Sequence, residues 1–173
     1  EPLRALVGEY LEWRRVRGFS EATVVDDRTH VGRLVTWCTD RRIEQADEIT
    51  APALEAYREH LSRQPYTDGS QRYQLISIRV FLRWLLKQGH ARYDAGAELE
   101  LPPQPKKLPT NVWTRAEVEH VLGQVDVSKP EGLRDRTVME VMYSTGVRRM
   151  EVVALTCYDV DREKGTVLVR KGK

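Results

Sequence analysis

Arg148 and Glu151 stand three residues apart just after a glycine, in the run Tyr143-Ser144-Thr145-Gly146-Val147-Arg148-Arg149-Met150-Glu151. A planar guanidinium can pair with two nonbridging oxygens of a phosphodiester at once, and those oxygens gather negative charge in the pentacoordinate transition state. Gly146 permits a sharp turn ahead of a helix, so Arg148 would be presented at a helix start, where free N–H groups also favour phosphate. Glu151 would share a helix face with Arg148 and hold its side chain in position. The same spacing fits an ordinary solvated i,i+3 ion pair, so the pair alone leaves both readings open.

A second set lies earlier in the chain. At about 100° per residue, Arg72, Arg79, Arg83 and Lys87 fall within an arc of roughly 80° on a helix. Such a stripe would lay four cations along a nucleic-acid backbone. Ser70, Gln71 and Gln74, near the N-terminal end of that helix, have the reach and the hydrogen-bonding groups to touch base edges in a major groove. A bare charge stripe also describes a solvated helix face. His30, His60, His90 and His120 are singletons without metal-ligand spacing, so no metal site is expected. Cys38 and Cys157 are the only cysteines; far apart, they are expected to be reduced core thiols rather than a disulfide. The net charge of +2 says less about a nucleic-acid partner than the placement of the charges does.

These residues need a scaffold. Leu3, Leu6, Val7, Tyr10, Leu11 and Trp13 repeat at the helical period and predict a first helix from Leu3 to Val16. After Gly18, Ser20 reads as the N-cap of a second helix running to about Arg42. Its buried stripe would be Val24, Val31, Leu34, Val35 and Trp37 or Cys38, with Asp26, Asp27, Arg28, His30 and Arg33 mostly facing away. Thr50 and Pro52 open a third helix through Leu54, Tyr57 and Leu61. Residues 64–70 read as a loop. A fourth helix runs from about Ser70 to Gln88 on Leu75, Ile78, Phe81, Leu82 and Leu85, and Gly89 ends it.

Periodicity disappears from Asp94 onward. Pro102, Pro103, Pro105 and Pro109, with Lys106 and Lys107 among them, mark residues 94–111 as a linker. Beyond it, Thr114 and Glu117 form a capping box for a helix over about 115–123. Glu131 to Ser144 reads as a sixth helix and Arg148 to Leu155 as a short seventh. Val160 and Thr166 to Val169 flank a Glu163-Lys164-Gly165 turn and predict a β-hairpin. The four tryptophans are expected to be core and linker anchors. With 40% hydrophobic and 31% charged residues, the chain has the composition of a globular domain. No apolar run approaches the ~20 residues of a membrane span and no signal segment opens the chain. A cytoplasmic protein is expected.

The run from Tyr143 to Leu155, followed by Asp159-Val160-Asp161 and Arg170-Lys171-Gly172-Lys173, resembles the Y-x-T-G-hydrophobic-R-x-x-E-hydrophobic box of tyrosine recombinases of the Xer and phage-integrase type. Four further features follow the family's order: Ser20-x-x-Thr23, Ile78-Arg79-x-Phe81, the Pro-rich linker ending Lys107-Leu108-Pro109, and Leu133-Arg134-Asp135. Two positions depart from it, with Asp27 where the family often has Tyr and Ala95 where it has Pro.

The resemblance implies a mainly α fold: a four-helix, SAM-like core-binding bundle over residues 1–93, then the N-terminal part of an α+β catalytic domain over 112–173, ending in a hairpin. It implies Arg148 and Lys173 as catalytic residues, with Glu151 in support; Lys171, two residues earlier on the same strand face, is the alternative lysine. It implies DNA contact by Ser70, Gln71, Arg72, Gln74, Arg79, Arg83, Lys87, Lys106 and Lys107. The implied reaction is site-specific recombination of double-stranded DNA through a phosphotyrosyl bond, in a homo- or hetero-tetramer on DNA associated with the nucleoid, with no cofactor. The family's His-x-x-Arg motif and nucleophilic tyrosine fall beyond Lys173, so neither Tyr143 nor Tyr158 is assigned that role. These 173 residues are expected to bind DNA without cleaving it. Two other readings remain: a non-catalytic architectural or regulatory DNA-binding protein on a recombinase scaffold, and a helical interaction module whose stripe is merely solvated.

Overall fold

Residues 2–104 and 112–170 are described by the structure, a computed structural model. They fall into two compact units that divide between Lys106 and Lys107. The first holds α1 (Leu3–Val16), α2 (Glu21–Thr39), α3 (Ala51–Ser62) and α4 (Asp68–Gln88). The second holds α5 (Arg115–Gly123), α6 (Pro130–Thr145), α7 (Arg149–Val153) and a two-stranded sheet of β1 (Val160–Asp161) and β2 (Thr166–Val167). The mainly helical fold with a terminal hairpin is as expected.

Helix starts follow local chemistry. Ser20, Thr50 and Thr67 each accept a hydrogen bond from the backbone N–H three residues on, at 3.3 Å, which satisfies a donor that the first turn leaves unpaired. Thr67 is a cap the sequence reading missed. It starts α4 two residues earlier than expected and places Ser70 inside the first turn. The end of α2 also differs. The helix stops at Thr39 instead of near Arg42, because Arg42 takes a left-handed backbone (φ 62°) and the Ile43 N–H closes on the Cys38 carbonyl at 3.0 Å. Such closures usually employ glycine, so an arginine there gives no signal in the sequence.

The core of the first unit lies between α1, α2 and α4, with α3 against α4. Tyr10 packs edge-on to Phe81 with ring centroids 5.2 Å apart, and Trp37 meets Tyr57 in the same way at 5.4 Å. Asp27, expected to face away, is 2% exposed. Its Oδ2 accepts the Arg14 Nε–H at 2.6 Å and the Tyr10 hydroxyl at 3.3 Å, and the Arg14 guanidinium lies 3.6 Å over the Phe19 ring. The spacing was a usable signal, because Asp27 falls between Val24 and Val31 on the buried stripe. Its charge suggested the opposite face, and the partner that neutralises it comes from another helix.

The segment expected to begin the linker also differs. Ala95 and Leu99 are buried in the core cluster of the bundle, and Leu101 packs against it. Gly96 allows the close approach, since a Cβ there would stand 3.5 Å from the Arg79 Cα and 3.0 Å from a Leu82 methyl.

In the second unit, Thr114 and Glu117 make the expected capping box: Thr114 N–H to Glu117 Oε2 at 2.7 Å, Glu117 N–H to Thr114 Oγ1 at 3.3 Å. Gly132 lies so near the Asp126 carbonyl that a Cβ would meet that oxygen at 2.0 Å. The strands pair antiparallel, Val160 with Val167 and Asp161 with Thr166, and Gly165 turns the loop at φ 61°. Cys157 is exposed, against expectation, whereas Cys38 is buried; burial pushes the Cys38 thiol up to about 11. Among the described residues no helix is long and apolar enough to cross a membrane.

Candidate nucleic-acid interface

The run from Tyr143 to Arg148 that ends α6 shapes the first part of the site. Thr145 Oγ1 donates to the Val141 carbonyl and accepts the Val147 N–H at 3.3 Å, while Gly146 ends the helix in a left-handed turn at φ 67°. The chain then restarts with Arg148 as the N-cap of α7. Glu151 grips Arg148 twice: Oε2 accepts its backbone N–H and Oε1 its Nη1–H, each at 2.9 Å. These two bonds, the backbone one first, hold the Glu151 carboxyl below its usual range. The carboxylate is nearly covered, its side chain 12% exposed, while the arginine side chain is 67% exposed. An aimed guanidinium thus faces outward on a fixed support, the geometry a charge-stabilising donor requires.

Beyond α7, Asp159 accepts hydrogen bonds from the Thr156 N–H and hydroxyl, both at 2.8 Å, and from Arg170. The Arg170 bond first, then those of Thr156, lower its carboxyl to about 2. This knot, whose carboxylate alone is buried, ties the hairpin to the turn after α7. The sequence reading missed it, because the partners are eleven residues apart. Lys171 and Lys173, the candidate lysines, lie outside the described residues, as do Lys106 and Lys107 of the linker.

On α4 the structure divides the expected stripe. Arg72 Nη1–H donates to the Pro102 carbonyl at 2.7 Å, and Arg83 stands 3.6 Å from Asp94. Both are drawn to the segment that returns along the bundle. Arg79 and Lys87 have no partner among the described residues. Ser70 is exposed, its hydroxyl 3.1 Å from that of Thr67.

Gln71 and Gln74 require a correction. Neither presents its amide to a groove, for Gln71 is 9% and Gln74 2% exposed. Gln71 Nε2–H donates to the Tyr66 carbonyl at 3.1 Å, and Gln74 Oε1 accepts the Arg33 Nη1–H at 2.9 Å. Both lie on the period of Leu75, Ile78 and Leu82, so the core-facing register was present in the sequence. A buried amide that finds its partners costs little, and those partners come from α2 and a loop.

Residues 111–173 match the phage integrase family, and residues 8–89 match the phage integrase N-terminal SAM-like domain. Together these two phage-integrase matches span most of this chain. Among curated relatives, tyrosine recombinase XerC 2 of Ralstonia nicotianae is 40% identical over 91% of this chain and 47% of its own length. Tyrosine recombinase XerD of Vibrio cholerae is 32% identical over 97% of this chain and 55% of its own. The chain thus spans about half the length of the curated relatives it matches. Among solved structures, the integrase of transposon Tn1549, in complex with a circular intermediate DNA, is 15% identical with a TM-score of 0.65, covering 95% of this chain and 52% of that one. The N-terminal domain of a phage integrase from Haloarcula marismortui is 18% identical with a TM-score of 0.56, covering 58% of this chain and 96% of that domain. Both likenesses show the shared fold. The departure at Asp27 has a structural counterpart, for Arg14 and Tyr10 supply the partners an aspartate needs there.

Proposed function

We propose that this protein takes part in site-specific DNA recombination, breaking and rejoining duplex DNA through a phosphotyrosyl intermediate. The observation that carries the reading is the double grip of Glu151 on Arg148 within the family's box. In that reaction a tyrosine oxygen attacks phosphorus, the 5′ oxygen leaves with a proton, and the phosphodiester energy is kept in the new P–O bond. Arg148 would pair with the nonbridging oxygens as their charge grows, and its pre-set orientation would spare reorganisation at that moment. Lys173, or Lys171 in the other hairpin register, would protonate the leaving oxygen. No tyrosine of this chain is assigned as the nucleophile.

Duplex DNA would be held by Ser70, Arg79 and Lys87 on the bundle and by Lys106 and Lys107, with Arg72 and Arg83 contributing only if they exchange Pro102 and Asp94 for phosphate. The Tn1549 integrase was solved with DNA, which supports the choice of partner. A tetramer on DNA in the cytoplasm, at the nucleoid, completes the proposal. Residues 1–173 alone should bind duplex DNA weakly and leave it uncut. Incubation with a nicked suicide substrate, followed by a denaturing gel, tests this. A covalent adduct from these residues would make Tyr143 or Tyr158 the nucleophile and overturn the assignment. In a longer parent that forms the adduct, Arg148→Ala should suppress it by about 3 kcal/mol of transition-state stabilisation.

A further inference from the structure

We propose that Arg33 of α2 is a pre-organised phosphate contact for duplex DNA, and that Gln74, Tyr66 and Gln71 are the residues that position it. The proposal rests on the DNA-binding reading above and goes beyond it by naming a residue that no motif marks. Arg33 is exposed, yet its guanidinium is fixed from two sides. Gln74 Oε1 accepts its Nη1–H at 2.9 Å, and its Cζ lies 5.2 Å from the centroid of the Tyr66 ring. Tyr66 is fixed in turn, because the Gln71 amide donates to its carbonyl at 3.1 Å. The two glutamines thus converge on one arginine.

Their burial is what gives the arrangement force. A Gln74 side chain almost wholly out of solvent has no water to turn to, so its oxygen stays directed at Arg33. A guanidinium held by a hydrogen bond and within cation–π range of an aromatic ring loses few conformations when it meets an anion, which lowers the ordering cost of binding. Nε–H and Nη2–H have no partner among the described residues, and those two donors form an edge suited to a phosphate. Arg33 also borders an open concavity of about 540 Å³ between α2 and α3 with Thr29, Thr36, His60 and Arg41 on its walls; Asp40 is its one carboxylate. Hydroxyls and cations around a concave surface suit a sugar-phosphate backbone.

The test is fluorescence anisotropy of the 173-residue chain with two labelled short duplexes of unrelated sequence, across a salt series. Arg33→Ala should weaken binding roughly 10-fold on both duplexes and reduce the salt slope by about one, as the loss of one phosphate contact does. Gln74→Leu should weaken it roughly 3-fold, and the double variant should be no weaker than Arg33→Ala, because Gln74 acts through Arg33. Should Gln74→Leu fail to fold by circular dichroism, Tyr66→Leu removes the aromatic ring beside Arg33 while sparing the carbonyl that Gln71 holds, and its coupling to Arg33→Ala is read in the same way. A wild-type chain that binds while Arg33→Ala binds equally well overturns the proposal alone. So does a loss confined to one sequence, which would mark a base contact, or fully additive losses in the double variant. A wild-type chain that binds neither duplex at low salt overturns the DNA-binding reading as well.

Discussion

The two units share a helical grammar and differ in what their helices bury. In the first, α1, α2, α3 and α4 each sink apolar side chains into one cluster, and even the polar Asp27, Gln71 and Gln74 are enclosed and partnered. In the second, none of α5, α6 and α7 has a buried residue, and Asp159 is the only one among the described residues. Trp113, Leu133, Tyr143, Met150 and Val153 face outward. These helices rest on caps and on surface pairs such as Arg115–Glu119 and Arg136–Glu140. Caps and period mark where a helix begins and which face is apolar, whereas burying that face needs an opposing surface.

Substitutions can sharpen or break that contrast. Phe81→Ala should cost the first unit about 4 kcal/mol by opening a cavity, whereas Val153→Ala should change the second by under about 0.5 kcal/mol, as an exposed site does; denaturant melts of each variant compare them. Asp27→Ala strands the buried Arg14 and should cost about 3 kcal/mol in the same melts. Gly132→Ala tests the contrast from the other side. Its new methyl must displace the Asp126 backbone, so about 2 kcal/mol of local stability should be lost, seen as faster amide exchange over residues 126–136. Thr114→Ala should remove about 1 kcal/mol from α5, read as lost helicity in that segment. The smallest effect is set by pH. The Asp159 carboxyl is held at about 2 by Arg170 and then Thr156. Its contribution is therefore present above the ordinary carboxylate range and lost as pH falls toward about 2. An NMR acid titration should show the Thr156 and Arg170 signals shifting in that window, and an earlier collapse would mean the knot is weaker than its geometry.

What could be read from the sequence follows the same division. The caps at Ser20, Thr50 and Thr114 and the apolar stripes are local patterns, so α1, α3 and α5 emerged with their bounds. The box around Arg148 was likewise contiguous, and its turn and helix restart are within a residue of the reading. Most of what escaped depends on partners outside the element concerned. Asp27 was placed outside because Arg14 and Tyr10 were not in its window, and Gln71 and Gln74 were given to DNA because their partners Tyr66 and Arg33 belong to a loop and to another helix. Asp94 to Leu101 looked like linker because Ala95, Leu99 and Leu101 have no period, although they do have a surface to cover. Arg42 shows the remaining limit, where the local closure of Ile43 on Cys38 holds a residue in a backbone its type disfavours.

The join between α1 and α2 also bears on the order in which the bundle assembles. Only Arg17 to Ser20 separate the two helices, and Arg14 meets Asp27 across thirteen residues, whereas Arg33 meets Gln74 across forty-one. Closing the shorter loop costs less chain entropy, so the α1–α2 hairpin is the natural nucleus and docking of α4 comes later. In kinetic terms, truncating Leu11 or Val24 should slow refolding in proportion to the stability lost, while truncating Ile78 should mainly hasten unfolding. The acid–base pair enclosed between the first two helices would then be made early, before α4 docks.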